Sequence, residues 1–434
     1  MKFLLVVRSV GHWPYIRSIV KELSKNNECK VDLLFDKTWS KGLMWNEKDG
    51  INFGWQRTRE LNRFILTSRE FRSYVNYIRW AKKYRQSEYY IKRWNSYLPS
   101  FLSCVSYTKP ARFILKHNQV FKWLTRLEDL VAPDDDIVDD IIKRNPDLVF
   151  VTPMNMRFSN ETDYAKAAKA LKIPVATSIL SWDNLTTKGT YSVIPDKMFV
   201  WNYHQAHEAT HIHNIPFENI EVSGAPFFDK WIKCEHLLEK RKEFCYRVGL
   251  DHKKKFFVYL GSSKNIADNE SHIIRELSVL LSNKFQILVK PHIFEATWSN
   301  YKKFDGQLSV LYSPMPETEQ TRKDLYNAIK HSEFAVGINT SAMIDAVVLD
   351  KRCFALVLNE FNSTQSSAEH FKIMCRSGAF EVCRSEKELR DRVVMWQDNR
   401  KNLRNDFTHN LIKPNNVSAG EYISDRLKSM IKNV

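Results

Sequence analysis

The sequence predicts an α/β protein built from two Rossmann-like, doubly wound domains facing across a cleft, with a helical insertion in the first. Three observations predict it. The chain has 434 residues, more than one hydrophobic core ordinarily serves, so two domains of roughly 200 residues each are expected. Short apolar runs alternate with helix-patterned segments in two successive series, the signature of parallel strands joined by crossover helices. Between the two series lies Gly224-Ala225-Pro226, where a strand pattern ends and a proline interrupts the chain.

The first series of expected strands reads Lys2 to Val7, Val31 to Asp36, Asp147 to Thr152, Pro174 to Leu180, Met198 to Trp201 and Ile220 to Ser223. The second reads Phe256 to Leu260, Phe285 to Lys290, Leu308 to Tyr312, Phe334 to Ile338 and Cys353 to Leu358, with a helical pattern at Asp324 to Lys330. Consecutive positions of Phe256 to Leu260 are apolar, so both faces of that strand should be covered. A Lys-rich helix is expected around Lys240. The domains expected are therefore 1–225, 226–415 and a final segment 416–434. In that segment Ile423, Leu427, Met430 and Ile431 share one helix face, suited to burial against the first domain.

Composition narrows the class. Hydrophobic residues make up 43% and charged residues 27% of the chain, as in soluble globular proteins rather than disordered or fibrous ones. No apolar run reaches the roughly 18 residues that cross a bilayer, and Arg8 interrupts the opening stretch before a signal-peptide core can form. The seven cysteines form an odd set without CxxC pairs or metal-ligand spacing, which fits a reduced, cytoplasmic protein. The run Asp134-Asp135-Asp136 follows Pro133 and reads as a helix start, so no metal site is expected.

The formal net charge is +16, and residues 56–130 carry sixteen Lys or Arg against five acidic residues. This surplus calls for an anionic neighbour. The same stretch holds Trp55, Phe64, Phe71, Tyr74, Tyr77, Trp80, Tyr84, Tyr89, Tyr90, Trp94 and Trp123. It reads as inserted helices spanning about 55–130. Their aromatics either pack inside with charges facing water, or form a surface for anionic lipid headgroups at the inner face of the cell membrane. No nucleic-acid recognition motif accompanies the charge, so nucleic acid is not an expected partner.

Open α/β sheets bind ligands beyond the carboxyl ends of their strands, and four motifs fall there. In Arg8-Ser9-Val10-Gly11-His12-Trp13-Pro14-Tyr15, Gly11 suits a sharp turn and Pro14 a first helical position. His12 is either a base for an acceptor hydroxyl or a structural histidine capping the turn. In Ser181-Trp182-Asp183-Asn184-Leu185-Thr186-Thr187-Lys188-Gly189, Asp183 is a candidate base, and Trp182, Asn184 and Lys188 are candidate acceptor contacts. An Asx-turn of Asp183 and Asn184 is the structural alternative.

Gly261-Ser262-Ser263-Lys264 and Lys290-Pro291-His292 end two strands of the second half. Small residues admit a diphosphate close to backbone amides, while Lys290 and His292 bring charge or donors. In Gly337-Ile338-Asn339-Thr340-Ser341-Ala342-Met343-Ile344-Asp345-Ala346 a strand gives way to a helix. Asn339, Thr340 and Ser341 suit either a simple cap or an anion at the helix start. Asp345, one turn on, can face the same pocket and accept from ribose or sugar hydroxyls.

Taken together the chain resembles the GT-B glycosyltransferases, especially bacterial capsule and lipopolysaccharide enzymes. The likeness rests on Gly11-His12, Asn145-Pro146-Asp147-Leu148-Val149, Val222-Ser223-Gly224-Ala225-Pro226 with Asp229, and Asp324 to Asp350 running through Asn339-Thr340-Ser341. The resemblance implies a nucleotide-sugar donor bound by the C-terminal domain and a glycan or lipid-linked acceptor bound by the N-terminal one. It also implies a final helix returning to the first domain and catalysis with neither metal nor cofactor. It extends to CDP-polyol phosphotransferases of teichoic-acid type and to nucleotide-sugar 2-epimerases, which share the second-domain layout. A non-catalytic membrane- or glycan-binding scaffold is the alternative outside enzymes.

Overall fold

The computed structural model describes residues 1–25, 28–42, 51–58, 63–84, 87–293, 298–314, 317–398, 411–412 and 417–432. The chain divides into two compact units, Met1–Lys230 with Asn410–Val434, and Trp231–His409. The expected boundary at 415/416 lies outside the described residues.

The first unit is wound on a seven-stranded sheet. Its strands are β1 (Lys2–Val7), β2 (Lys30–Phe35), β3 (Ile51–Trp55), β4 (Leu148–Thr152), β5 (Val175–Ser178), β6 (Lys197–Val200) and β7 (Ile220–Val222). They lie in the order β3-β2-β1-β4-β5-β6-β7, every neighbouring pair parallel. The second unit has β8 (Phe256–Leu260), β9 (Gln286–Lys290), β10 (Ser309–Val310), β11 (Ala335–Gly337), β12 (Cys353–Leu356) and β13 (Glu381–Cys383), in the order β10-β9-β8-β11-β12-β13. Both sheets are Rossmann-like, and in each the winding reverses beside the first strand, between β1 and β4 and between β8 and β11. All five residues of β8 are buried, as a central parallel strand with helices on both faces requires.

Two strands escape the sequence pattern. Strand β3, Ile-Asn-Phe-Gly-Trp, is a half-exposed edge, and β13 has three residues. As a result Trp55, expected in the insertion, is instead the last residue of an edge strand, and the inserted helices begin at Arg63. They are Arg63–Tyr84, Glu88–Asn95, Ser100–Tyr107, Lys109–Leu115 and Asn118–Asp129.

Inside the insertion Tyr74, Tyr77, Trp80, Tyr90 and Trp94 are buried, whereas Phe64 and Trp123 are exposed. The Tyr77 ring stacks on Trp94 with centroids 5.9 Å apart. Charges fasten this layer to the sheet layer: Arg69 meets Asp163 at 2.9 Å and Glu128 at 3.0 Å, and Lys166 meets Glu128 at 3.2 Å. Because both carboxylates are buried, loss of a partner leaves an uncompensated charge and costs far more than a surface pair would.

The helix Ala419–Lys432 packs on the helix Trp13–Ser24, with Ile423 and Leu427 fully buried beside Ile16, Ile19 and Leu23. The Asp229 carboxylate receives the Ala419 and Gly420 amides at 3.1 and 2.7 Å, so it satisfies first-turn donors at the positive end of that helix. Gly420 permits the close approach, since a Cβ there would lie 2.6 Å from the Ser18 Cβ. Alanine is the better helix former by roughly 1 kcal/mol, but overpacking costs about 1–3 kcal/mol. Gly420→Ala is therefore expected to lower stability in a urea titration, and an unchanged or raised midpoint would contradict the packing.

Candidate functional site

In the second unit, β9, β8 and β11 bring their carboxyl ends to one edge, with Leu260 opposite both Lys290 and Gly337. The Gly261 amide donates to the Lys290 carbonyl at 2.9 Å. A Cβ at Gly261 would lie 2.5 Å from the Tyr301 hydroxyl and 3.2 Å from the His292 amide nitrogen, so the crowded strand end excludes a side chain.

A buried carboxylate organises the loop that follows. Glu270 accepts the Ser262 amide at 2.9 Å, the Tyr301 hydroxyl at 2.5 Å and the Tyr259 hydroxyl at 3.3 Å. Burial raises its pKa against the pull of these donors. So held, the Ser262 hydroxyl accepts the Asn339 amide at 3.2 Å. That bond ties the loop after β8 to the loop after β11, across the point where the winding reverses.

The rest of the constellation lies around this link. Lys290 is buried, with its ammonium 3.4 Å from the Pro291 carbonyl. Burial, and then the charge of Lys290, lowers the His292 pKa to about 4, so the imidazole is neutral at pH 7. The helix Ser341–Val348 opens at Thr340, whose side chain makes no cap bond. The Asn339 side-chain nitrogen is buried and finds no hydrogen-bond partner among the described residues. Ser263 and Thr340 are half-buried, and Ser341 is exposed. Asp345 is buried and accepts the Trp231 indole N–H at 2.7 Å, so one carboxylate oxygen serves an aromatic neighbour.

In the first unit, β1 runs into a 3-10 turn, Val10–His12, and then the helix Trp13–Ser24 with Pro14 in its first turn. Gly11 is buried in that turn and is not among the positive-φ glycines, so the sharp turn expected of it is made with ordinary backbone. His12 Nδ1 lies 2.8 Å from the Ser9 hydroxyl. Burial, then the charges of Arg8 and Lys188, lowers the His12 pKa to about 4.

The effect of Lys188 reflects how the loop after β5 is folded. There Asp183 accepts the hydroxyls of Ser181 and Thr187, each at 2.6 Å, and meets the Lys188 ammonium at 3.2 Å. Asn184 is buried, and its side-chain oxygen accepts the Leu180 and Ser181 amides at 3.0 and 2.6 Å. That oxygen faces into the loop and bonds amides three and four residues earlier, not the amide two residues on that an Asx-turn would use. Trp182 is half-buried. The Tyr77 hydroxyl lies 3.0 Å from the carbonyls of Thr186 and of Lys188, and His213 Nε2 lies 2.8 Å from that of Leu185.

The structure adds Glu270, Tyr301 and Trp231 to the residues expected from sequence. Gln365 joins them: its amide donates to the Ile338 and Leu356 carbonyls at 2.7 and 2.6 Å, which fixes the end of β11. Among the described residues, no group of three or more His, Cys, Asp or Glu could hold a metal ion.

No family model and no curated protein matches the chain. Solved structures do. The Staphylococcus aureus MnaA–UDP co-structure aligns at 13% identity over 100% of this chain and 98% of that chain, with a TM-score of 0.57. The UDP-GlcNAc 2-epimerase from Neisseria meningitidis bound to UDP-GlcNAc aligns at 13% identity over 100% of both chains, with a TM-score of 0.55. A glycosyltransferase from Rickettsia africae aligns at 10% identity over 100% of this chain and 93% of that one, with a TM-score of 0.50. The likeness is one of fold: two Rossmann-like parallel-sheet domains of GT-B type.

The histidines make the fold pH-sensitive. His213 is buried, and burial drives its pKa to about 4. Its Nδ1 has no partner among the described residues, so a second proton would enter unsolvated. A folded pKa below the unfolded value of 6.5 means that the unfolded chain takes up protons first as pH falls. This stabilisation is therefore complete above pH 6.5 and is lost on acidification towards pH 4. Between pH 7 and 5 the loss from His213 is roughly 2 kcal/mol. Urea titrations of wild type and His213→Gln at both pH values should show a shallower dependence in the variant, and equal slopes would refute the buried neutral assignment.

Proposed function

We propose that the chain is a glycosyltransferase of GT-B type that takes a nucleotide-sugar donor and acts on a glycan or lipid-linked acceptor in bacterial surface polysaccharide synthesis. The observation that carries this reading is the Ser262–Asn339 bond beside buried Lys290. It draws together a small-residue loop, a lysine and a helix start at a winding reversal, where a diphosphate finds amides, a cation and the positive end of a helix. The buried, unpartnered amide nitrogen of Asn339 adds a donor. On this reading Gly261, Ser262, Ser263, Lys290, His292, Asn339, Thr340 and Ser341 hold the donor, and Asp345 orients its ribose or sugar.

The leaving diphosphate is stabilised by these groups without a metal ion or cofactor. His12, neutral at pH 7, accepts the acceptor proton on Nε2 while Nδ1 engages Ser9. Asp183, held by Ser181, Thr187 and Lys188, is the second candidate base. Gly11, Trp182 and Lys188 line the acceptor side, with Asn184 shaping the loop from within.

A second reading is supported by the neighbours' lengths: the UDP-GlcNAc 2-epimerases from Neisseria meningitidis and Methanocaldococcus jannaschii align over 100% of their chains. The same donor site would then serve epimerisation of the bound sugar. Calorimetry with a panel of UDP- and CDP-linked compounds, followed by product analysis, tests both. A new glycosidic bond with released nucleotide supports transfer, a changed sugar still on its nucleotide supports epimerisation, and a phosphodiester supports the polyol-phosphate alternative. Lys290→Ala is expected to weaken nucleotide binding by roughly tenfold or more. Absence of nucleotide binding by the wild type, or unchanged affinity in that variant, would remove the donor-site assignment.

A further inference from the structure

From Tyr89 to Leu127 the sequence contains seven Lys or Arg and no Asp or Glu. Three of the described acids flanking this stretch are paired, and a fourth, Asp129, is exposed at the end of the helix Asn118–Asp129. Glu70 and Glu128 are buried, the first paired with Arg157 and the second with Arg69 and Lys166. Glu88 is bound by Arg112 at 2.7 Å. The outer side of the insertion is left cationic.

That side is also apolar. The helix Lys109–Leu115 buries none of its residues, and its neighbour Ser100–Tyr107 buries only Ser106. Phe101 and Val105, one turn apart on the same face, are 81% and 48% exposed, and Phe113 and Ile114 are 61% and 60% exposed. Phe113 also lines a groove of about 840 Å³ whose walls carry Lys82, Lys83, Lys109, Arg112 and Lys116. Single exposed apolar residues need no explanation, but four on two touching helices do.

The occupant has to answer both features. A nucleic acid or acidic glycan would pair with the lysines yet gain nothing from Val105 and Ile114. A second copy laid face to face would set the cations of one copy against those of the other. An anionic bilayer supplies phosphates at headgroup depth for the cations and an acyl boundary for the apolar tips, with the lysine stems lying along the apolar surface. We propose that the helices Ser100–Tyr107 and Lys109–Leu115 are a docking surface for an anionic lipid bilayer. The assignment is independent of which reaction the donor site serves.

Co-sedimentation of the full chain with phosphatidylcholine vesicles, with and without phosphatidylglycerol, tests it. Binding should require phosphatidylglycerol and fall about tenfold or more at high salt. The exposed variants Lys109→Glu/Lys116→Glu and Phe101→Ser/Phe113→Ser/Ile114→Ser should each lose about tenfold or more, with circular dichroism unchanged. The proposal is overturned if the wild type fails to bind, if it binds neutral vesicles equally well, or if either variant retains full binding. It is equally overturned if the serine variant instead converts a stable dimer to monomer.

Discussion

A parallel sheet obliges each connection to cross a face and re-enter at the starting edge, so every strand ends along one edge. In both units this constraint decides where chemistry can occur. Crossovers run one way from β1 and the other way from β4, and the same holds for β8 and β11. Where the crossovers diverge, a crevice is left beyond the strand ends. The polar departures from the apolar pattern collect there: Ser9 and His12 after β1, Ser262 and Ser263 after β8, Asn339 after β11. In the second unit the arrangement depends on Glu270, whose carboxylate binds the Ser262 amide from within and leaves the hydroxyl to Asn339.

Central strands were legible because burial on both faces demands consecutive apolar residues, as in Phe256–Leu260 and Phe3–Val7. The edges were not. Strand β3 is half-exposed and contains Gly54, and β13 is three residues long and opens on a half-buried glutamate, so neither makes a run. Within the site, the small residues and Lys290 announce themselves by following strands. Glu270 does not, because its partners Tyr259 and Tyr301 come from a strand and a helix on either side of it in sequence. Asn184 illustrates a different limit: its residue type suits a turn and a ligand contact alike, and only the structure shows its oxygen on the Leu180 and Ser181 amides. The insertion was harder still. Tyr74 and Phe101 are both aromatics among cations, yet one is fully buried and the other 81% exposed, and composition cannot distinguish an inward face from an outward one.

The insertion is also more than an attachment. Its long helix Arg63–Tyr84 sends Tyr77 to the backbone of Thr186 and Lys188, Ser73 to the Thr190 amide at 3.1 Å, and Arg72 to the Ser192 hydroxyl at 2.6 Å. These bonds reach one loop at successive positions. The conformation that brings Lys188 near His12 is therefore maintained from the inserted layer as well as from the sheet, and a protein trimmed of these helices would lose the wall behind Asp183.

The first unit is discontinuous in sequence, and this has a consequence for how it comes into being. Ile423 and Leu427 cover Ile16, Ile19 and Leu23, and Asp229 waits for the amides of Ala419 and Gly420, but all of that intervening second unit must leave the ribosome first. During synthesis the helix Trp13–Ser24 therefore stays partly uncovered while the second unit can already fold. Assembly of the first unit waits for the helix Ala419–Lys432, so a stop before it would be felt as damage far earlier in the sequence, at Trp13–Ser24.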